Sequence, residues 1–212
     1  MFVNNLDPVA FEFLSFQIRW YSLAYIFGFL IGWFYIKNFL IKDLREKTLV
    51  DDFITYLILG VIIGGRLGYV IFYNFFYYLS HPFEIFFIWQ GGMSFHGGLI
   101  GVCLATYIFT QKYNLNFFRY TDLVSVTAPI GIFLGRVANF INSELYGRET
   151  DFIFSVNFNK VDNLFRHPSQ LYESFFEGIV LFIILNFLWK KFSEIPGVIS
   201  VSYTHLTLPT KE

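Results

Sequence analysis

The sequence predicts an all-α fold: a polytopic integral membrane helix bundle of about five spans with its N terminus outside. Three observations predict it. Hydrophobic residues make up 55% of the 212-residue chain and charged residues only 15%, where soluble domains carry about a quarter charged. Five apolar runs approach the roughly 20 residues needed to cross a bilayer. Lys and Arg collect in alternate connecting segments, as the cytoplasmic bias of basic residues requires. The mean hydropathy of +0.52 excludes a disordered chain. A net charge of -1 with no basic stripe argues against a nucleic-acid partner. The one cysteine, Cys103, excludes an internal disulfide and any multi-Cys metal site.

Taken in order, the expected spans are 18–36, 53–73, 95–110, 121–141 and 170–189. Residues 1–17 hold no Lys or Arg, so the first span lacks the basic lead-in of a cleavable signal peptide. The connection 37–52 holds Lys37, Lys42, Arg45 and Lys47, whereas 80–94 holds no Lys or Arg. Lys112 and Arg119 lie in 111–120, and Lys190 and Lys191 follow the last span. Every short connection agrees with an outside N terminus. The longer segment 142–169 then falls outside despite Arg148, Lys160 and Arg166, because long loops translocate largely regardless of charge. Gly60, Gly64 and Gly68 recur every fourth residue, as do Gly28 with Gly32, Gly97 with Gly101, and Gly131 with Gly135. That spacing lets helix backbones approach closely in lipid.

Ionisable residues inside spans are costly and face a cavity or a partner. Arg19 and Tyr21 open the first span, Arg66 sits in the second, His96 begins the third, and Arg136 lies in the fourth. The loop charges put all of them, with Asn139, Asn142, His167, Gln170, Tyr172 and Glu173, toward the outer face. Arg136, Asn139 and Asn142 are spaced by three, which makes one stripe on a helix. A cation beside two amides suits a phosphate or another anionic head group. The alternative is a helix-end lock between Arg136 and Glu144. For Arg66 the alternatives are an interhelical ion pair or snorkelling to the head groups. His96, flanked by Gly91, Gly92, Gly97 and Gly98, suits a general base, since histidine changes charge near neutral pH. It equally suits a hydrogen-bonded structural group.

Five blocks in order resemble the bacterial prolipoprotein diacylglyceryl transferase family. They are Arg19-Trp20-Tyr21, GGRLGYVIFYN at 64–74, GGMSFHGGLIG at 91–101, GRVANFINSELYGR at 135–148 and RHPSQLYE at 166–173. The resemblance covers most of residues 8–200. It implies transfer of the sn-1,2-diacylglyceryl group of phosphatidylglycerol to the lipobox cysteine of a prolipoprotein signal peptide. A thioether forms and glycerol 1-phosphate leaves, with no metal and no soluble cofactor. By the same resemblance His96, Arg136 and Tyr21 are catalytic, and Arg136, Asn139, Asn142, Glu144, Gly147 and Arg66 hold the head group. The setting it implies is the bacterial cytoplasmic (inner) membrane, with the site toward the outer face. The family has seven spans, so two are expected to be missing beyond a transmembrane domain of 1–200. Residues 201–212 read as a non-native tail.

Other classes fit less well. A small transporter or channel with an outward-facing anion site predicts inverted repeats and polar groups at several depths, and neither pattern is seen. A non-catalytic scaffold leaves the Arg-Asn-Asn stripe unexplained. An intramembrane protease needs a Ser–His or paired-Asp arrangement at matching depth.

Overall fold

A computed structural model describes residues 2–13 and 16–207. The chain runs β1 (Phe2–Val3), β2 (Val9–Phe13), β3 (Phe16–Arg19), α1 (Trp20–Tyr35), α2 (Leu44–Tyr73), α3 (Phe75–Ser80), α4 (Phe95–Tyr113), α5 (Phe117–Asn142), β4 (Val156–Asn157), β5 (Phe165–Arg166), α6 (Ser169–Glu173), α7 (Leu181–Phe192) and α8 (Val198–Thr207). Wide π turns at Ile36–Leu40 and Ser174–Val180 extend α1 and join α6 to α7.

Among the described residues, four helices are long and apolar enough to cross a membrane: Trp20–Leu40, Leu44–Tyr73, Phe117–Asn142 and Ser169–Phe192. This is the expected multi-pass helix bundle, with four such helices where five were expected. The expected span 95–110 is α4, a helix of 19 residues. His96 at its start and Gln111-Lys112 at its end shorten its apolar run. The expected span 53–73 is the inner part of a 30-residue helix that starts at Leu44. Hydropathy finds only the apolar part of such a helix. Its polar first turns are set by Asp43, whose carboxylate caps the Arg45 N–H at 2.7 Å.

The chain divides into two compact units, Lys37–Thr121 and Met1–Ile36 with Asp122–Glu212. The first is a helical hairpin of α2 and α4. A Cβ built on Gly60 would lie 2.6 Å from the Gly101 carbonyl oxygen, and one on Gly68 2.7 Å from Gly97 Cα. The spacing of Gly60, Gly64 and Gly68 against Gly97 and Gly101 is therefore backbone-to-backbone packing, as read from the sequence, whereas among the described residues an added Cβ on Gly131 or Gly135 would meet nothing within 4 Å. At the far end of the hairpin Phe53, Phe109 and Tyr120 form a buried aromatic cluster with ring centroids 5.0–5.3 Å apart. α4 stops at Asn114, which takes the left-handed conformation at φ 53° that asparagine tolerates.

In the second unit α1 and α5 approach at Gly28, whose added Cβ would meet Gly131 Cα at 3.5 Å. Residues between α5 and α6 build a small polar head. There β4 pairs in parallel with β1 and antiparallel with β5, while β2 and β3 form a separate hairpin. Asn4 is fully buried and ties the head to α5, its amide donating to the Phe140 carbonyl at 2.6 Å. Asp122 is buried in α5 and accepts the backbone N–H groups of Gly197 and Ser200, both at 2.7 Å, which caps the start of α8. Of the expected tail, 208–212 lies outside the described residues, and the rest continues α8, where Ile199 is fully buried.

Candidate functional site

In the second unit, α5 ends in a polar turn. Arg136, Asn139 and Asn142 occupy its last turns, and the chain leaves through Ser143 and Leu145 at φ 60° and 53°. Positive φ is strained for residues with a Cβ and recurs at functional sites. The Glu144 N–H donates to the Asn139 carbonyl at 2.9 Å, and the Asn139 amide donates back to Glu144 Oε2 at 3.2 Å. Glu144 is thus bonded to the end of its own helix. Arg136 pairs instead with Glu173 on α6, Nη2 to Oε2 at 2.7 Å. This corrects the helix-end lock of Arg136 with Glu144.

Neither partner of that pair is sealed: the Arg136 side chain is 23% exposed and that of Glu173 36%. Accessible ion pairs stabilise by about 0–1 kcal/mol. Such a pair is cheaper to exchange for another bidentate anion than a fully sealed one would be. Farther along the same helix end, Asn142 Oδ1 and Ser143 Oγ are buried and have no hydrogen-bond partner among the described residues. Buried polar atoms are rarely left so, and a ligand hydroxyl would satisfy them.

The start of α6 holds this turn in place. Gln170 is fully buried, and its amide donates to the Glu144 carbonyl at 2.5 Å, while Ser169 Oγ donates to the Leu145 carbonyl at 2.8 Å. Gly147 lies against His167: its N–H donates to the His167 carbonyl at 2.9 Å, and an added Cβ would stand 2.8 Å from that oxygen. Sequence reasoning missed Gln170 and Glu173 as site residues. Their spacing of three within RHPSQLYE, matching that of the α5 stripe, was the available signal. An apolar cavity of about 410 Å³ adjoins the turn, lined by Phe2, Phe140, Phe154, Pro168, Leu171 and Tyr172 among others. Farther along the head, Arg166 donates to Asp162 at 2.6 Å and lies 5.0 Å from the Tyr146 ring centre. This hydrogen bond and that from the Leu164 N–H hold the Asp162 carboxyl below its ordinary range. Tyr21 stands in the first turn of α1, edge-on to Tyr25 at 5.3 Å.

Arg66 and His96 belong to the helical hairpin. Arg66 is 4% exposed, and its guanidinium donates to four backbone carbonyls, those of Glu84, Ile85, Gly91 and Gly92. Among the described residues it takes neither of the alternatives weighed against head-group binding, an ion pair or a snorkelling contact. Hydrogen bonds to a charged group contribute about 1.5–3 kcal/mol each, which explains how a buried cation persists here without a carboxylate. His96 lies in the first turn of α4, exposed, its ring edge-on to Phe95 at 5.7 Å. Among the described residues no group of three or more His, Cys, Asp or Glu is placed to hold a metal.

These features define a multi-pass membrane protein with an accessible arginine and unsatisfied polar atoms gathered where two helices meet a small head. The family model for prolipoprotein diacylglyceryl transferase matches residues 8–208. A Rickettsia typhi protein named phosphatidylglycerol–prolipoprotein diacylglyceryl transferase is 51% identical over 189 residues, 88% of this chain and 73% of that protein. Proteins of the same name from Rickettsia canadensis and Rickettsia akari are 52% and 50% identical, over 73% and 71% of their lengths. The chain belongs to the prolipoprotein diacylglyceryl transferase family, a family of transferases.

Proposed function

We propose that this protein transfers the diacylglyceryl group of phosphatidylglycerol to the lipobox cysteine thiol of a prolipoprotein, the first step of lipoprotein maturation. The cysteine sulfur attacks the glyceryl carbon that bears the phosphate oxygen. The S–C bond forms, that C–O bond breaks, and its electron pair leaves with glycerol 1-phosphate. The thiolate is the nucleophile and a free thiol has a pKa near 8.5, so a base assists, and His96 accepts the proton. Charge grows on the departing phosphate. Arg136 neutralises it, exchanging Glu173 for the phosphate oxygens. Asn139 and Glu144 shape the turn, Gly147 lets the backbone come close, and Asn142 Oδ1 accepts from a head-group hydroxyl. Tyr21 lines the lipid side.

The observation that carries the reading is the part-exposed Arg136–Glu173 pair at the end of a helix that also ends in two unsatisfied polar atoms, in a chain of this family. Lys and Arg in the connections 37–52 and 111–120 support a site on the outer face of the bacterial inner membrane, where a translocated signal peptide and phosphatidylglycerol are both at hand. The test is a mass assay with phosphatidylglycerol vesicles and a lipobox peptide. A diacylglyceryl mass gain on the peptide cysteine, lost in His96→Ala and Arg136→Ala, is expected. An unmodified peptide with the unaltered protein overturns the assignment, and uptake of a labelled anion into the same vesicles instead establishes the transporter reading.

A further inference from the structure

Arg66 was expected to hold the lipid head group, yet its hydrogen bonds run elsewhere. A guanidinium has five N–H donors. Nε donates to the Ile85 carbonyl and Nη2 to that of Glu84, both at 2.8 Å, while Nη1 reaches the carbonyls of Gly91 and Gly92, the latter at 3.2 Å. Two pieces of one loop, the turn at Pro82–Phe86 and the segment entering α4, are fastened to one side chain of α2. The ring of Tyr78 covers the guanidinium at 5.2 Å.

The second piece leads directly to His96. Gly91 and Gly92 have φ of +87° and +81°, and a Cβ on Gly92 would strike the Tyr69 ring at 2.5 Å. Next, the Ser94 N–H donates to the Gly65 carbonyl at 2.9 Å, and Ser94 Oγ accepts the Gly97 N–H at 3.2 Å. The backbone is therefore pinned at 91, 92 and 94 by the stretch of α2 around Arg66. His96, two residues on, is exposed, and its ring is held by no hydrogen bond among the described residues, so its position follows from that of the segment before it.

We propose that Arg66 is a positioning residue: it fixes the loop 82–94 and thereby the place of the His96 imidazole, and does not bind the lipid phosphate. The proposal rests on the reading of His96 as proton acceptor. Small displacements of a catalytic group cost on the order of 10²-fold in rate, so loosening this loop is read in turnover.

The experiment pairs kinetics with hydrogen exchange in phosphatidylglycerol vesicles, using Arg66→Lys and, as a second route to the same loop, Gly92→Ala. Lysine keeps the charge but cannot span four carbonyls from one atom. Both variants are expected to lose amide protection over 82–98 and to lower kcat roughly 10- to 100-fold, with KM for phosphatidylglycerol unchanged. A raised KM with kcat and protection unchanged in Arg66→Lys makes Arg66 a head-group ligand and overturns the proposal. Unchanged protection in both variants overturns it whether or not transfer is seen. No transfer by the unaltered protein counts against the diacylglyceryl reading alone, and loss of protection in the variants still upholds the role of Arg66 in the loop.

Discussion

The protein carries two arginines that follow a glycine inside apolar helices, and they meet opposite fates. Arg136 near the end of α5 pairs with Glu173, stays part-exposed and shares its helix end with unsatisfied polar atoms. Arg66 in α2 is buried and bonded to four backbone carbonyls of a single loop. The same residue type in a similar local context is in one case part-exposed in a single ion pair and in the other built into the architecture. Partners rather than sequence neighbours decide which arginine stays part-exposed.

The comparison breaks first at activity. Arg136→Ala is expected to lower transfer by about 10²–10³-fold, the usual cost of removing one group that stabilises developing charge, measured by mass gain on a lipobox peptide. Arg136→Lys recovers part of this, because the charge survives while the two-pronged geometry is lost.

Stability sharpens it from the other side. Arg66→Ala leaves four carbonyls without their donor. A hydrogen bond to a charged group contributes about 1.5–3 kcal/mol, and four are lost at once, so the thermal midpoint in detergent falls clearly. Arg136→Ala, which removes an accessible pair, is expected to move that midpoint little. Equal shifts would erase the distinction. An intermediate effect is expected from Gly60→Ala in the hairpin. Its new methyl meets the Gly101 carbonyl, and overpacking of this kind costs about 1–3 kcal/mol, seen as a lower midpoint with unchanged KM.

The smallest effect lies in the head. Asp162 is held below its ordinary value of 3.8 by hydrogen bonds from Arg166 and the Leu164 N–H. A carboxylate depressed in the folded state contributes stability that is complete above the unfolded value. That stability is lost as pH falls through the folded value. Proteolytic resistance of 142–169 is expected to hold at pH 5 and weaken below about pH 3.8, and Asp162→Asn should flatten that dependence.

Much of the framework was legible in hydropathy, since a span must be apolar whatever it packs against. The α5 stripe was legible too, because a spacing of three survives in any helix. The early start of α2 was not, as its first turns carry Arg45, Glu46, Lys47, Asp51 and Asp52 and read as a connection. Strands of two residues, such as β4 and β5, are too short to show a period. The partner of Arg136 lay among the polar residues before the last span, but choosing Glu173 over Glu144 needs the fold. The partners of Arg66 carry no side-chain signature at all, since any residue offers a carbonyl.

Asp122 has a consequence in time. It lies 75 residues ahead of Gly197, whose N–H it accepts. At roughly 5–20 residues per second, Asp122 has left the ribosome about 4–15 s before Gly197 does. The carboxylate that caps α8 is thus synthesised before α8 and is available to it as soon as those residues emerge.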